Sequence, residues 1–329
     1  MSSQAFYGGR PNGIYPDLTK FLPPFYAGAT LRGVGILRAM TEQHPHYSGE
    51  LFARAPSGLS NADFERFRSI VRGYYGEHGR ELPWREKSDP YRIFVSEIML
   101  QQTQVERVLK KYPAFIETFP GFGPLAVAPL PRVLALWQGM GYNRRAIHLK
   151  KGAEQIISKH GGRLPDSVEV LSTLPGVGKA TAGAMAAFAY NRPSVFIETN
   201  IRRVFLHFFF PAAAGVPDGA LLPLVERALD RSNPRIWYSA LMDYGVMLKR
   251  ERGNANTRSR HYKKQPPFEG SDRQIRGAIL RLLVNEQGLS EGELLKRAGR
   301  APEKTRANLA RLVKEGFVEE GESGYNLAR

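Results

Sequence analysis

The sequence predicts a mostly helical protein, and three observations lead to that class. Between Ser60 and Leu248, apolar residues recur at three- and four-residue spacing through most of the chain. Runs of β-branched residues with a period of two are scarce before residue 316. Asparagine and proline stand where the periodic segments begin, and glycine and proline where they stop. The length of 329 residues allows two or three domains, and a hydrophobic content of 42% is enough for sizeable cores.

Charge and composition narrow the function. Lys and Arg outnumber Asp and Glu by 47 to 31, a formal charge of +16, which points to a polyanionic partner and to nucleic acid first. There are no cysteines, so disulfides, thiolate nucleophiles and thiolate-held zinc or iron–sulfur clusters are excluded. No uninterrupted apolar span or basic amphipathic anchor stands out, and the N-terminus lacks a charged-then-apolar leader. A cytoplasmic, DNA-associated monomer away from membranes is the expectation.

The elements follow in order. Residues 1–57 are rich in Gly, Pro, Tyr and Ser and read as a poorly ordered extension, with Ala29–Met40 as one short helical stretch. From Ser60 the pattern turns helical: Phe64, Phe67, Ile70 and Val71 share one face, and Asn61 is the expected N-cap. Pro90 starts the next helix and Pro113 interrupts the one after. Further helices are expected over about 124–137, 143–159, 167–173, 179–189, 199–210, 218–231 and 235–248. The helical body thus covers 58–248. Residues 249–271 break the rhythm, with seven Lys or Arg against one Glu between 249 and 264, and read as a basic loop or linker. Residues 272–329 form a unit of their own. Three amphipathic helices are followed by FVEEGESGYNLAR, two short strands about a Glu-Ser-Gly turn, which is the order of a winged-helix module. Its third helix offers Lys304, Arg306, Arg311 and Lys314, a set suited to DNA; a protein-binding or purely structural module is the alternative.

The stretch LPGVGKATAGA, Leu174–Ala184, carries the first chemical signal. Its glycines let backbone N–H groups face outward, and the helix that follows adds its positive end, so the segment can hold an anion. The spacing is not that of a Walker A loop, and no strand precedes it as a dinucleotide fingerprint requires. Helix, LPGVGxxTA, helix is the helix–hairpin–helix pattern, which grips a DNA phosphate without reading sequence. Gly176, Val177, Gly178, Lys179 and Thr181 are the expected backbone-binding residues, with Arg202 and Arg203 nearby; a plain packing corner is the alternative.

Four segments recur in order: LPWREKSDPYRIFVSEIMLQQTQV, LWQGMGYNRRAIHLKKGA, LPGVGKATAGAMAAFAY and VFIETNIRRV. Together they resemble the helix–hairpin–helix base-excision DNA glycosylases related to endonuclease III, and most closely the A/G-mismatch adenine glycosylases. The likeness covers about Phe64 to Gly270. It implies two α-helical subdomains with the active site in the cleft between them. It also implies a base flipped from the duplex and cut from its sugar.

The resemblance assigns roles residue by residue. Glu97 matches the general acid, and its apolar neighbours Val95, Ile98 and Met99 are expected to raise its pKa by desolvation. Glu97, Gln101 and Gln104 are expected along one helical stripe, with Gln101 as the wedge that fills the gap left by the base. Glu198 stands where the family has Asp, beneath the sugar, and can also cap the helix that begins near Thr199. Trp84, Arg85 and Ser239 match base-pocket positions, with Ser239 shorter than the family's Gln or Glu. Tyr142 is placed near the DNA backbone or in the core, and Asp243 as a cap or orienting group. Ala180 replaces the lysine of the bifunctional relatives, which implies a glycosylase that uses water and has no lyase step.

Two departures are visible. The family's four cluster-binding cysteines align with Lys249, Asn256, Ser259 and Gln265, so no metal and no cofactor is expected, with a monovalent cation at the hairpin left open. The loop is expected to contact phosphates through its basic residues or to pack through Tyr262 and Phe268. The usual C-terminal domain for 8-oxoguanine is replaced by the short module. Removal of adenine opposite G or 8-oxoguanine from double-stranded DNA is the leading reading. The rivals are a T·G or U·G glycosylase on the same scaffold, a non-catalytic DNA-binding protein, and a transcription factor led by its C-terminal module.

Overall fold

The computed structural model describes residues 58–328; the expected extension and its Ala29–Met40 helix lie outside them. The described residues fold as helices around two hydrophobic cores, with one two-stranded sheet at the C-terminal end. None of these helices is long and apolar enough to cross a membrane.

The first core is built by the segment from Leu82 to Ala189, around Phe94, Ile98, Met99, Phe115 and Trp137. The second joins the first described helix, Asn61–His78, to the later helices Thr199–Phe209, Asp218–Ala228 and Pro234–Arg252. Phe67 is its hub. The ring is fully buried and meets Phe205, Phe208 and Trp237 edge-on at 5.3, 5.0 and 5.8 Å. Truncating such a ring costs about 3–5 kcal/mol. The helix Lys179–Tyr190 serves both cores: Ala182, Met185 and Ala186 face the first, Ala184 and Ala187 the second. Its small side chains let the two halves approach along one spine.

Local chemistry sets the boundaries, and several differ from the sequence expectation. The first helix is capped by Ser60 rather than Asn61. Ser60 Oγ accepts from the Asp63 N–H at 3.3 Å and the Asp63 carboxylate accepts from the Ser60 N–H at 2.7 Å, a reciprocal pair that Asn61 could not form. The helix expected over 124–137 is two, Phe122–Val127 and Leu130–Trp137, because Pro129 drives Ala128 into extended backbone. Pro113 lies in the first turn of Tyr112–Thr118, where a missing N–H is harmless, so it helps start a helix. Asp218–Ala228 ends earlier than expected, and Pro234–Arg252 runs on through the first basic residues of the expected linker.

The C-terminal segment contains the helices Asp272–Asn285, Glu291–Ala298 and Pro302–Lys314, then strands β1 (Val318–Gly321) and β2 (Gly324–Leu327), antiparallel with Val318 opposite Leu327. This is the expected order, with the turn tightened to Glu322 and Ser323 between the paired Gly321 and Gly324. Ile279, Leu283, Leu309, Leu312 and Phe317 join the first core, so the module is docked on the Leu82–Ala189 half.

Candidate functional site

A cleft of about 310 Å³ opens between the two halves. Trp84, Arg85, Glu97, Gln101, Ala180, Glu198 and Ser239 all line it, so residues up to 155 positions apart in sequence share one space. The base-pocket and carboxylate expectations are thus brought together.

Glu97 sits in the last turns of the helix Pro90–Leu100, whose neighbouring Val95, Ile98 and Met99 are buried in the first core. Its own side chain is partly buried at the cleft. Burial, and secondly the charge of Glu198, push its pKa up to about 8, with Arg85 opposing. Glu198 caps the helix Thr199–Phe209: its Oε1 accepts from the N–H groups of Asn200 at 2.6 Å and Ile201 at 2.8 Å. Burial raises this carboxyl too, while those two bonds and Arg203 and Arg202 favour its ionised form. The two acids share a cleft but differ in their surroundings. Only Glu198 has backbone donors at a helix N-terminus, which favour its ionised form and oppose the burial that raises both carboxyls.

The backbone under Glu198 is fixed from behind. A Cβ on Gly245 would lie 2.7 Å from both the Cβ and the carbonyl oxygen of Asn200, so only glycine lets the Pro234–Arg252 helix come this close. Arg203 is buried and donates to Asn200 Oδ1 at 2.6 Å and to the Gly245 carbonyl at 2.8 Å. The expected DNA-backbone contact of Arg203 is therefore not what the structure offers: the side chain is buried, and its Nε and Nη1 donate inside the protein. Arg202 is drawn into a two-bond pair with Asp218, both at 2.7 Å, which also removes it from the exposed set.

The expected stripe of Glu97, Gln101 and Gln104 is broken. The helix stops at Leu100, Gln101 is extended, and Gln102 has φ +53°, a left-handed position that turns the chain. Gln101 Nε2 donates to the Gly176 carbonyl at 3.0 Å and to Thr181 Oγ1 at 3.3 Å, so the expected wedge rests on the hairpin.

In the hairpin, Gly176 has φ +74°, and a Cβ there would lie 2.6 Å from His148 Nδ1, so glycine is required twice over. Val177 is buried and its N–H donates to the Leu174 carbonyl at 3.1 Å, so its expected phosphate contact is unavailable. The donors that remain are those of the first turn of Lys179–Tyr190, which has no side-chain cap and begins with the exposed Gly178, Lys179 and Ala180.

Of the C-terminal cations, Lys304 donates to the Gly270 carbonyl, Arg306 pairs with Glu291 and Glu303, and Arg311 pairs with Asp272, all on the surface; Lys314 is exposed. The strands beside them carry Glu319, Glu320 and, in the turn, Glu322, all exposed.

Sequence reasoning missed several positioning groups. Arg145 is buried although it sits in the first turn of Arg144–His160, where the helix dipole disfavours a cation. It is held there by carbonyls: Nη1 donates to Ile98, Met99 and Gln101 at 3.1, 2.8 and 2.5 Å. The visible signal was a second arginine directly after Arg144. Asp243, expected as a cap or orienting group, is the buried partner of both Arg80 and Arg85.

The four positions that align with cluster ligands do not fit an iron–sulfur group. The chain has no thiolate. Asn256 is buried and donates to the Thr199 carbonyl at 2.9 Å, Ser259 is buried, and Gln265 donates to the Tyr142 hydroxyl. Arg258 anchors the same loop by donating to the carbonyls of Leu206 at 3.0 Å and Pro211 at 3.1 Å. The loop is stapled to the Glu198 helix by these polar groups. Tyr262 and Phe268, expected as packing residues, are 43% and 59% exposed. No group of three or more potential metal ligands occurs among the described residues.

Residues 95–217 match the HhH-GPD superfamily of base excision DNA repair proteins. The chain is 34% identical over 265 residues to an adenine DNA glycosylase of Mycobacterium tuberculosis, covering 73% of this chain and 83% of that protein. It is 41% identical over 188 residues to an adenine DNA glycosylase of Buchnera aphidicola, covering 55% of this chain. It spans about half of that second relative's length, 52%. A solved thermostable thymine-DNA glycosylase superposes with a TM-score of 0.54 at 27% identity, over 59% of this chain and 91% of that one.

Proposed function

The chain belongs to the HhH-GPD superfamily of base excision DNA repair proteins, and we propose that it is a monofunctional glycosylase removing adenine mispaired with guanine or 8-oxoguanine. One observation carries the reading: two acids share a cleft, Glu97 with its carboxyl pKa raised to about 8 and Glu198 held by backbone donors at a helix N-terminus that favour its ionised form. A protein that only bound DNA would have no use for a protonated acid at that place.

In this mechanism the hairpin's first-turn amides and Lys179 hold a phosphate, Gln101 moves off the hairpin to fill the gap, and the base enters the cleft against Trp84. Glu97 gives its proton to a ring nitrogen of adenine. The bond from C1′ to the base breaks, and its electron pair leaves with the base. Glu198 stabilises the cationic sugar, then takes a proton from the water that adds to C1′. Ala180 lines the same cleft and offers no nucleophile, so the product is an intact strand with an abasic site. Double-stranded DNA is the partner, and the C-terminal cations are proposed as auxiliary contacts.

Ser239 is buried at the cleft, and its side chain is shorter than the Gln or Glu that the resemblance places there, so a contact with adenine is lost or passes through water. That keeps T·G and U·G as alternatives. A single-turnover assay on A·G, A·8-oxoguanine, T·G and U·G duplexes, with and without hot alkali, decides. Breaks only after alkali on the A-containing duplexes, lost in Glu97→Gln, are the expected result. Breaks on T·G or U·G instead move the substrate. Breaks without alkali overturn the monofunctional reading.

A further inference from the structure

We infer that the C-terminal module is a brace for the wedge turn, acting through Tyr142 and Arg145, so that Arg273, Tyr142 and Arg145 are positioning residues for base flipping. The inference rests on the glycosylase reading of Gln101 as the wedge. Its starting point is the turn itself. Gln101, Gln102 and Thr103 leave the end of the Glu97 helix with Gln102 in the left-handed region, a conformation that persists only where its surroundings hold it. The holder is Arg145. Beyond the three carbonyls on Nη1, its Nη2 donates to Thr103 Oγ1 at 2.8 Å and to the Gly141 carbonyl at 3.0 Å. One guanidinium therefore clasps both ends of the turn.

Arg145 is in turn held by rings. Its guanidinium lies 5.3 Å from the Trp137 ring centre and 5.7 Å from that of Tyr142. Tyr142 has φ +47°, unusual for an aromatic residue, so its ring is also held by its surroundings. What holds it comes from the start of the C-terminal segment. Arg273 lies 5.7 Å from the same ring centre and donates to the Tyr142 hydroxyl at 3.0 Å, and Gln265 donates to that hydroxyl as well. Arg273 is itself fixed by the Pro266 carbonyl at 2.9 Å.

A second tie runs beside the first. Arg144 pairs at 2.7 Å with Glu315, which also pairs with Arg276 at 2.6 Å. Two adjacent arginines thus face opposite ways: Arg144 fastens the module, and Arg145 fastens the wedge turn. The module carries eleven Lys or Arg and nine Asp or Glu between residues 272 and 329. It holds little of the chain's net charge, so its contact with the helical body gives it a role beside the auxiliary DNA contacts proposed for its cations.

The test uses the full chain with Arg273→Ala and Tyr142→Phe, neither of which removes a core side chain. Amide hydrogen exchange of Gln101, Gln102 and Thr103 is read alongside single-turnover cleavage and DNA affinity. The brace requires faster exchange at the turn and a cleavage rate lowered about tenfold, with Kd changed less than about twofold and an unchanged unfolding midpoint. Unchanged exchange and unchanged rate in both variants overturn it. So does a rate loss matched by an equal loss of affinity, which makes the module a DNA contact. If the unsubstituted chain cleaves no duplex, the glycosylase reading falls, and the exchange measurement still decides the brace.

Discussion

Arg85 and Asp243 face each other as a fork, with Nη1 to Oδ2 and Nη2 to Oδ1 both at 2.9 Å, and they join the segment before Glu97 to the helix of the second core at the cleft. Burial alone would raise the Asp243 carboxyl, but Arg85 and the backbone and side chain of Arg80 outweigh it and hold it below its usual range. Arg85 also lines the base cleft, so one ion pair sets both the joint and the pocket wall. Asp243→Asn is expected to lower stability by about 3 kcal/mol, because two part-buried guanidiniums lose their counter-charge. Urea unfolding measures this, and an unchanged midpoint contradicts it.

In the proposed mechanism Glu97 is the acid, and its raised carboxyl then couples stability to activity. Its ordinary pKa is 4.5 and burial lifts it to about 8 in the fold. The raised group stabilises the fold most at low pH and loses that contribution as pH rises from about 4.5 through about 8. The single-turnover rate should fall over the upper end of this range, as the acid loses its proton. Glu97→Gln should be inactive yet more stable than the unsubstituted chain at pH 8, by about 1–3 kcal/mol, with the gap closing below pH 4.5. Thermal unfolding across pH checks it; a Gln variant that is less stable at pH 8 would remove the burial argument.

Glu198 caps a helix, and the proposed mechanism gives it a second duty that substitution separates from the first. Glu198→Gln retains an oxygen for the N–H groups of Asn200 and Ile201, so stability should stay within about 0.5 kcal/mol while cleavage falls about a hundredfold or more. Glu198→Ala should lose cleavage and about 1 kcal/mol of stability, the worth of the cap. Equal cleavage by the Glu198→Gln variant and the unsubstituted chain would reduce this residue to a cap.

Ala180 is exposed at the cleft in the first turn of Lys179–Tyr190. Ala180→Lys places an amine beside the sugar, where the helix N-terminus and Lys179 favour its neutral form. A borohydride-trapped adduct with abasic DNA is expected for the variant and none for the unsubstituted chain. Trapping by the unsubstituted chain would mean that Lys179 already reaches the sugar.

Lys179 itself should contact phosphate. Lys179→Ala is expected to reduce the slope of log K against log salt by about 1, with little change in base preference. A changed preference at constant slope would place it in the base pocket instead.

Much of this was legible in the chain. Spacing gave the helical class, since an amphipathic face repeats within a few residues and needs no distant partner to be seen. Glu97, Glu198 and Ala180 stand in short motifs, so the roles proposed for them could be drawn from local sequence, and the structure brings all three to one cleft. The same locality misled at boundaries. The single residue Pro129 split one expected helix, and Ser60 displaced Asn61 as cap because Asp63 could reciprocate.

What the sequence by itself determined is the cast of chemical groups: two acids, a missing lysine, a hairpin and no thiolate. Tertiary structure alone decided which cations are free. Arg202 and Arg203 look alike beside Glu198 in sequence, yet one reaches Asp218 and the other is sealed against Asn200 and Gly245. Arg145, beside the exposed Arg144, donates to the carbonyls of Ile98 and Gln101 from 47 and 44 positions away. The reason is physical. A guanidinium is costly to bury without partners, and whether carbonyls and carboxylates gather around it depends on packing between segments far apart in the chain.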